Sequence, residues 1–189
     1  MPNVSDMIFW YMDSDGSITT FSGIRFWPLL PNPADIRIED IAHALSNQCR
    51  FAGHAREFYS VAEHSVRVRQ HCRPEDALWG LLHDASEAYL SDVPAPLKEL
   101  PAFEAYRAAE RSLQDTIAVR FGLPIEQPRS VTEADRAMLG IEIRDHLRPT
   151  VGRQPGRPPH HKLAITNPWQ PRIAKARFLS RFRELCWKL

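Results

Sequence analysis

Apolar residues recurring three and four apart, run after run, most restrict the folds open to this chain. In "PADIRIEDIAHALS" the residues Ile38, Ile41, Ala42 and Leu45 share one stripe behind Asp35 as N-cap, the pattern of an amphipathic helix. A second helix is expected from about Val61, carrying His64, Val68 and Cys72. The third takes Leu78, Leu81, Leu82, Ala85 and Tyr89 as its buried stripe. Pro94 and Pro96 should end it, because proline has no amide donor and clashes with the preceding turn. Phe103, Tyr106, Leu113, Ile117 and Phe121 mark a long fourth helix closed by Gly122 and Pro124. "SVTEADRAMLGIEIRDHL" opens a fifth, and "PRIAKARFLSRFRELCWKL" reads as a sixth over about residues 170–187. Alternation of the kind strands need is weak and confined to "ITTFSGIRFWPL", where a small N-terminal β-hairpin around Ser22 and Gly23 is expected. The fold class is therefore all-α.

A chain of 189 residues suffices for one domain with a substantial core. A single domain over 1–189 is expected, its core at about 35–147. A loop follows at 148–161, where "RPTVGRQPGRPPHH" holds four prolines and two glycines. The 24 basic and 23 acidic residues leave a net charge of +1, which gives no general reason to bind nucleic acid or membranes. The arginine-rich stretch 172–183 reads most simply as a solvated helix face. No apolar run approaches the roughly 18 residues of a membrane span, and "MPNVSDMIFWYMDSD" lacks the basic leader of a signal peptide. Three scattered cysteines, Cys49, Cys72 and Cys186, make neither a disulfide framework nor a zinc knuckle, so a reducing, cytoplasmic setting is expected.

Against this background "LLHDASEAYLSDVP" concentrates His83, Asp84, Glu87 and Asp92 beside a buried stripe. On a helix His83 and Glu87 lie four apart and Asp84 and Glu87 three apart, so all three project from neighbouring faces. A solvated surface face is one explanation and a bound cation is another. "SVAEHSVRV" adds His64, and "TEADRAML" adds Asp135 in the first turn of the fifth helix. Taken singly, His64 reads equally as a hydrogen-bonded core histidine and Asp135 as half of a capping box with Thr132. Together they supply two imidazoles and two carboxylates, a donor set suited to Mn, Fe, Co, Ni or Mg. Convergence of Asp84, Glu87, Asp92 and Asp135 would cost about 4 kcal/mol for each pair at ~4 Å and an effective dielectric near 20. A domain is held by only about 5–15 kcal/mol, so such acids must be protonated or balanced by a metal.

The pattern H…HD-x-x-E-x-x-x-x-D followed by P-x-x-x-K resembles the metal signature of the HD-domain phosphohydrolases, over about Arg50 to Asp135. "VAEHS", "LLHDASEAYLSDVPAPLK" and "EAD" are similar to blocks of the small 5'-deoxynucleotidases and the phage-type deoxynucleoside triphosphate triphosphohydrolases. The resemblance implies an HD-domain helical bundle in which His64, His83, Asp84 and Asp135 bind a divalent metal. It also implies that Glu87 and Asp92 manage protons and water near the scissile phosphate, and that Lys98 contacts phosphate. Arg50 and Phe51 stand about where the nucleotidases carry an Arg-Trp pair that helps hold the nucleotide, with the tryptophan replaced. His54 and Arg56 are further candidates for phosphate contact, His54 serving equally well in a structural hydrogen bond. His43, His71, His146, His160 and His161 are expected to be structural or surface residues. The expected activity is release of the 5'-phosphate from (deoxy)nucleotides. Triphosphohydrolysis and a non-catalytic nucleotide-binding regulatory domain are the alternatives. Base, sugar, metal identity and any homo-oligomer stay open at this level.

Overall fold

The structure, a computed structural model, describes residues 15–149 and 164–186. Most of the loop expected at 148–161, with His160 and His161, and the last residue of the helix expected to reach 187 lie outside the described residues. Among the described residues the architecture is helical. In chain order the helices are α1 (Ile38–Asn47), α2 (Val61–Arg69), α3 (Ala77–Leu82), α4 (Glu87–Leu90), α5 (Ala95–Lys98), α6 (Glu104–Arg120), α7 (Arg129–His146) and α8 (Pro171–Cys186). Strands β1 (Ile18–Thr19) and β2 (Arg25–Phe26) form the expected hairpin, antiparallel, with Ile18 opposite Phe26. Gly23, at φ +82°, takes the turn position that other residues disfavour. Buried Asp40 on α1 accepts from the Ser22 amide and hydroxyl at 2.7 and 2.8 Å, which pins the hairpin to the bundle.

Helix α2 lies at the centre, packed against α1, α3, α7 and α8. Ser60 caps it by accepting from the Glu63 amide at 3.1 Å. Val61, Ala62 and Val66 join the main core with Ile41, Leu45, Leu81, Leu82, Leu113, Ile117 and Phe178. Val68 faces a second cluster of Tyr59, Ala134, Met138, Ile141 and Ile165. The central helix is thus buried almost all round, and its polar residues Glu63, His64 and Ser65 must find partners inside.

Several sequence expectations need correction. The third helix is not continuous. Its stripe is buried as expected, but α3 stops at Leu82 and α4 starts at Glu87. Gln114 on α6 explains the break: its Nε2 donates to the Leu82 carbonyl at 2.8 Å and its Oε1 accepts from the Ser86 amide at 3.1 Å. Those two backbone groups would bond each other in a regular helix. The chain tightens instead through Ala85–Leu82 and Glu87–Asp84 bonds of 3.0 Å. It ends at Ser91, with φ +69°, before the prolines, and Pro94 heads α5. Asp35 is no N-cap of α1; it sits in a separate turn capped by Asn32, and Ile36 is extended. Helix α2 ends before Cys72. Helix α7 begins at Arg129, so Asp135 lies nearly two turns in, and Thr132 accepts from Gln127 rather than building a capping box. The fourth helix closes as expected, with Gly122 at φ +68° and the Leu123 amide donating to the Ala118 carbonyl at 2.9 Å.

Candidate metal centre

The break at residues 83–86 turns His83 and Asp84 towards α2 and α7. His64, His83 and Asp84 form a group able to hold a metal ion, one ligand atom from each lying within 4.8 Å of the others. His64 Nε2 is 3.2 Å from His83 Nε2 and 3.5 Å from Asp84 Oδ2, and His83 Nε2 is 3.3 Å from that oxygen. Asp135 Oδ1 approaches from α7 to 3.1 Å from His64 Nε2 and 3.9 Å from His83 Nε2. Two ligands each about 2.1 Å from one ion, at roughly 90° to 109°, would be about 3.0 to 3.4 Å apart. The His64–His83 and His83–Asp84 separations match that range and the His64–Asp84 one is close to it, so these three side chains could hold one first-row divalent ion, with Asp135 beside His64.

The outer ring nitrogens fix which atoms face inward. His83 Nδ1 donates to the Gly80 carbonyl at 3.0 Å, since a carbonyl can only accept. His64 Nδ1 lies 2.6 Å from Glu142 Oε1, which also accepts from the Tyr59 hydroxyl at 2.8 Å. Burial pulls the Glu142 carboxyl upward, but His64 and Arg50 outweigh it and hold the group at about 2. An ionised Glu142 takes the His64 Nδ1 proton as a hydrogen bond. Both Nε2 lone pairs then face each other, an arrangement that needs a cation or proton between them. Without a metal the proton serves: burial and Arg50 lower His64, but Glu142 and Asp135 prevail and raise it to about 9.

Around this point Arg50 pairs with Asp84 and Glu142, Lys98 pairs with Glu87, and Asp92 acts electrostatically on both Arg50 and Glu87. Glu87 is buried, and burial first, then Asp84 and Asp92, push its carboxyl well above the usual range. Its Oε1 accepts from Lys98 Nζ at 3.2 Å, whereas buried Oε2 has no hydrogen-bond partner. Asp92 is also pushed up, by burial and then by Asp84 against the pull of Arg50. Gln48 sets the backbone of both acids, donating to the Glu87 carbonyl at 2.8 Å and accepting from the Asp92 amide at 3.1 Å. The Asp135 side chain is 42% exposed while that of His64 is fully buried, so the centre opens to solvent on the α7 side.

The residues expected to meet substrate divide. Lys98 reaches the site through Glu87, and Glu110 on α6 shares its ammonium at 2.5 Å. Arg50 turns inward, its side chain only 12% exposed, with Nη2 3.0 Å from Glu142 Oε2 and Nη1 3.6 Å from Asp84 Oδ2. The Glu142 contact is an ion pair, not an aligned hydrogen bond. Phe51 lies beneath the Arg50 guanidinium, 5.5 Å to its ring centroid, and both Phe51 and Ala52 adopt left-handed φ angles, +57° and +50°. Arg56 donates to the Leu147 carbonyl at 2.7 Å, at the far end of α7 from Asp135, and His54 is exposed. Neither is drawn to the cluster by a hydrogen bond or ion pair of its own. Sequence reasoning missed Glu142, Tyr59, Gln48, Gln114 and Glu110. Only Glu142 left a signal: it follows Asp135 by seven residues, two helical turns, and interrupts the buried stripe of Ala134, Met138 and Ile141 with a charge.

Among the described residues the three cysteines are free, and no helix is long and apolar enough to cross a membrane. No family model matches the chain. It is 47% identical to the uncharacterized protein YfdR of Escherichia coli over 128 residues, 68% of this chain and 71% of that protein. It is 38% identical to an uncharacterized protein of Rhodobacter capsulatus over 132 residues, 65% of this chain and 67% of the relative. Neither relative's name carries an activity. At these identities and coverages the chain belongs to the family of Escherichia coli YfdR.

Proposed function

We propose that this chain is a metal-dependent phosphohydrolase of the HD-domain type that releases 5'-phosphate from (deoxy)nucleotides. The observation that carries this reading is the meeting of His64, His83, Asp84 and Asp135 within 3.1–3.9 Å contacts, from three separate parts of the chain. A divalent ion, when bound by these residues, polarises a phosphoryl oxygen and acidifies water. Mn, Co, Fe, Ni and Mg all suit the donor set.

The chain's own groups supply the rest. Glu87 carries an unpartnered oxygen and a carboxyl biased towards its protonated form, which fits a group that exchanges a proton with water or a leaving oxygen. Asp92, similarly biased, is a second proton carrier. Lys98, shared between Glu87 and Glu110, is the cation a phosphate can recruit by displacing one carboxylate. A pure binding domain needs no buried acid with one unpartnered oxygen three residues beyond a ligand. The monophosphate is favoured because Arg50 is turned inward onto Glu142 and Arg56 is bonded to the Leu147 carbonyl, at the far end of the helix from Asp135.

The test uses chelator-stripped protein supplied in turn with Mn, Co and Mg, offered deoxynucleoside mono-, di- and triphosphates, with products separated by chromatography. Metal-dependent phosphate release from monophosphates is expected. Nucleoside with intact triphosphate would replace this assignment by triphosphohydrolysis. Turnover in a verified metal-free preparation, or none with any metal, would overturn the enzyme reading.

A further inference from the structure

Glu142 is fully buried, and a buried ion pair is usually no more stabilising than apolar side chains of the same volume. Stability is thus a poor reason for its presence. Its contacts give a better one. Oε1 lies 2.6 Å from His64 Nδ1 and accepts from Tyr59, whose ring stacks on His146 with centroids 4.4 Å apart. Oε2 lies 3.0 Å from Arg50 Nη2, and the same guanidinium reaches Asp84 Oδ2 with Nη1 at 3.6 Å. Asp135 stands two turns back on the same helix.

We propose that Glu142 is the positioning residue of the centre, fixing the His64 ring directly and Asp84 through Arg50, so that Arg50 braces Asp84 and is not primarily a nucleotide clamp. The proposal rests on the metal-binding reading above. A carboxylate on the outer nitrogen fixes the tautomer, makes the inner nitrogen a better donor and stops the ring from rotating. The guanidinium, planar and permanently charged, bridges the two carboxylates and limits the swing of Asp84 towards solvent.

Titration of Mn or Co into the chelator-stripped full chain, with melting temperature measured in parallel, tests this. Glu142→Gln keeps shape and removes charge. It should bind metal about 10–100-fold more weakly than the wild type, the usual cost of losing such a partner, while melting cooperatively. Arg50→Met cuts the link to Asp84 while keeping the Glu142 carboxylate opposite His64 Nδ1, and should also weaken metal binding several-fold. It decides the matter if Glu142→Gln does not fold. Wild-type metal affinity in both variants would overturn the positioning role and leave the metal reading standing. Failure of the wild type itself to bind metal would overturn both.

Discussion

Gly80 sits where α3 crosses the end of α2, and Gly80→Ala probes that crossing. A Cβ built there meets Cys72 Sγ well inside contact distance and Arg69 Cα at 3.1 Å. The sulfur can rotate away by giving up its weak bond to the Val68 carbonyl at 3.3 Å, but the Arg69 backbone yields only if α2 shifts. Overpacking of this kind costs about 1–3 kcal/mol, and alanine returns up to about 1 kcal/mol of helix propensity. The net expectation is a loss of about 1–2 kcal/mol, or about 2–8 °C in melting temperature for a domain of this size. Urea unfolding of Gly80→Ala, Cys72→Ala and the double variant measures it. The double variant should be less destabilised than the sum of the singles by at least ~0.5 kcal/mol, because one of the two contacts is then gone. The Gly80 carbonyl also holds His83 Nδ1, so displacement of α3 should reach the His64–His83–Asp84 cluster. A Gly80→Ala protein as stable as the wild type, or additive with Cys72→Ala, would refute this account of the crossing.

Four further outcomes follow from other contacts. Asp84→Ala should lose metal and turnover together, whereas Glu87→Ala should keep its metal by elemental analysis while turnover falls ~10²-fold or more; metal loss in the second would contradict the division of roles. In the metal-free protein the raised His64 stabilises the fold fully below pH 6.5, and that contribution is lost as pH rises through about 9. Metal must displace that proton, so apparent Mn affinity should climb about tenfold per pH unit up to about 9 and then level off; a flat profile contradicts the tautomer assignment. Ser60→Ala removes the cap of the central helix and should cost about 1 kcal/mol in urea unfolding, with no change opposing the capping role.

Helical periodicity made most of the bundle legible, because burial of one face leaves its spacing in the sequence. The stripe Leu78, Leu81, Leu82, Ala85 and Tyr89 is buried as read. The helix carrying it is nevertheless broken, because Gln114, far along the chain, inserts between Leu82 and Ser86. Tertiary hydrogen bonds of that sort leave no local pattern. The centre divides in the same way. His64, His83, Asp84 and Asp135 could be named from residue type and order; the fold clusters the first three and sets Asp135 3.1 Å from His64. Arg50 could be named but not aimed, since its inward turn depends on Glu142, a residue that reads alone as one more helical acid. The alternatives for His64 prove compatible: it is a buried, hydrogen-bonded core histidine and also faces the cluster.

The most direct measurement is a calorimetric titration of Mn into chelator-stripped wild-type protein, beside His83→Ala, with bound metal counted by elemental analysis. The account predicts one ion per wild-type chain, displaced by chelator, and binding lost or strongly weakened in His83→Ala. Equal binding by the two proteins, or none by the wild type with any first-row divalent ion, would contradict it.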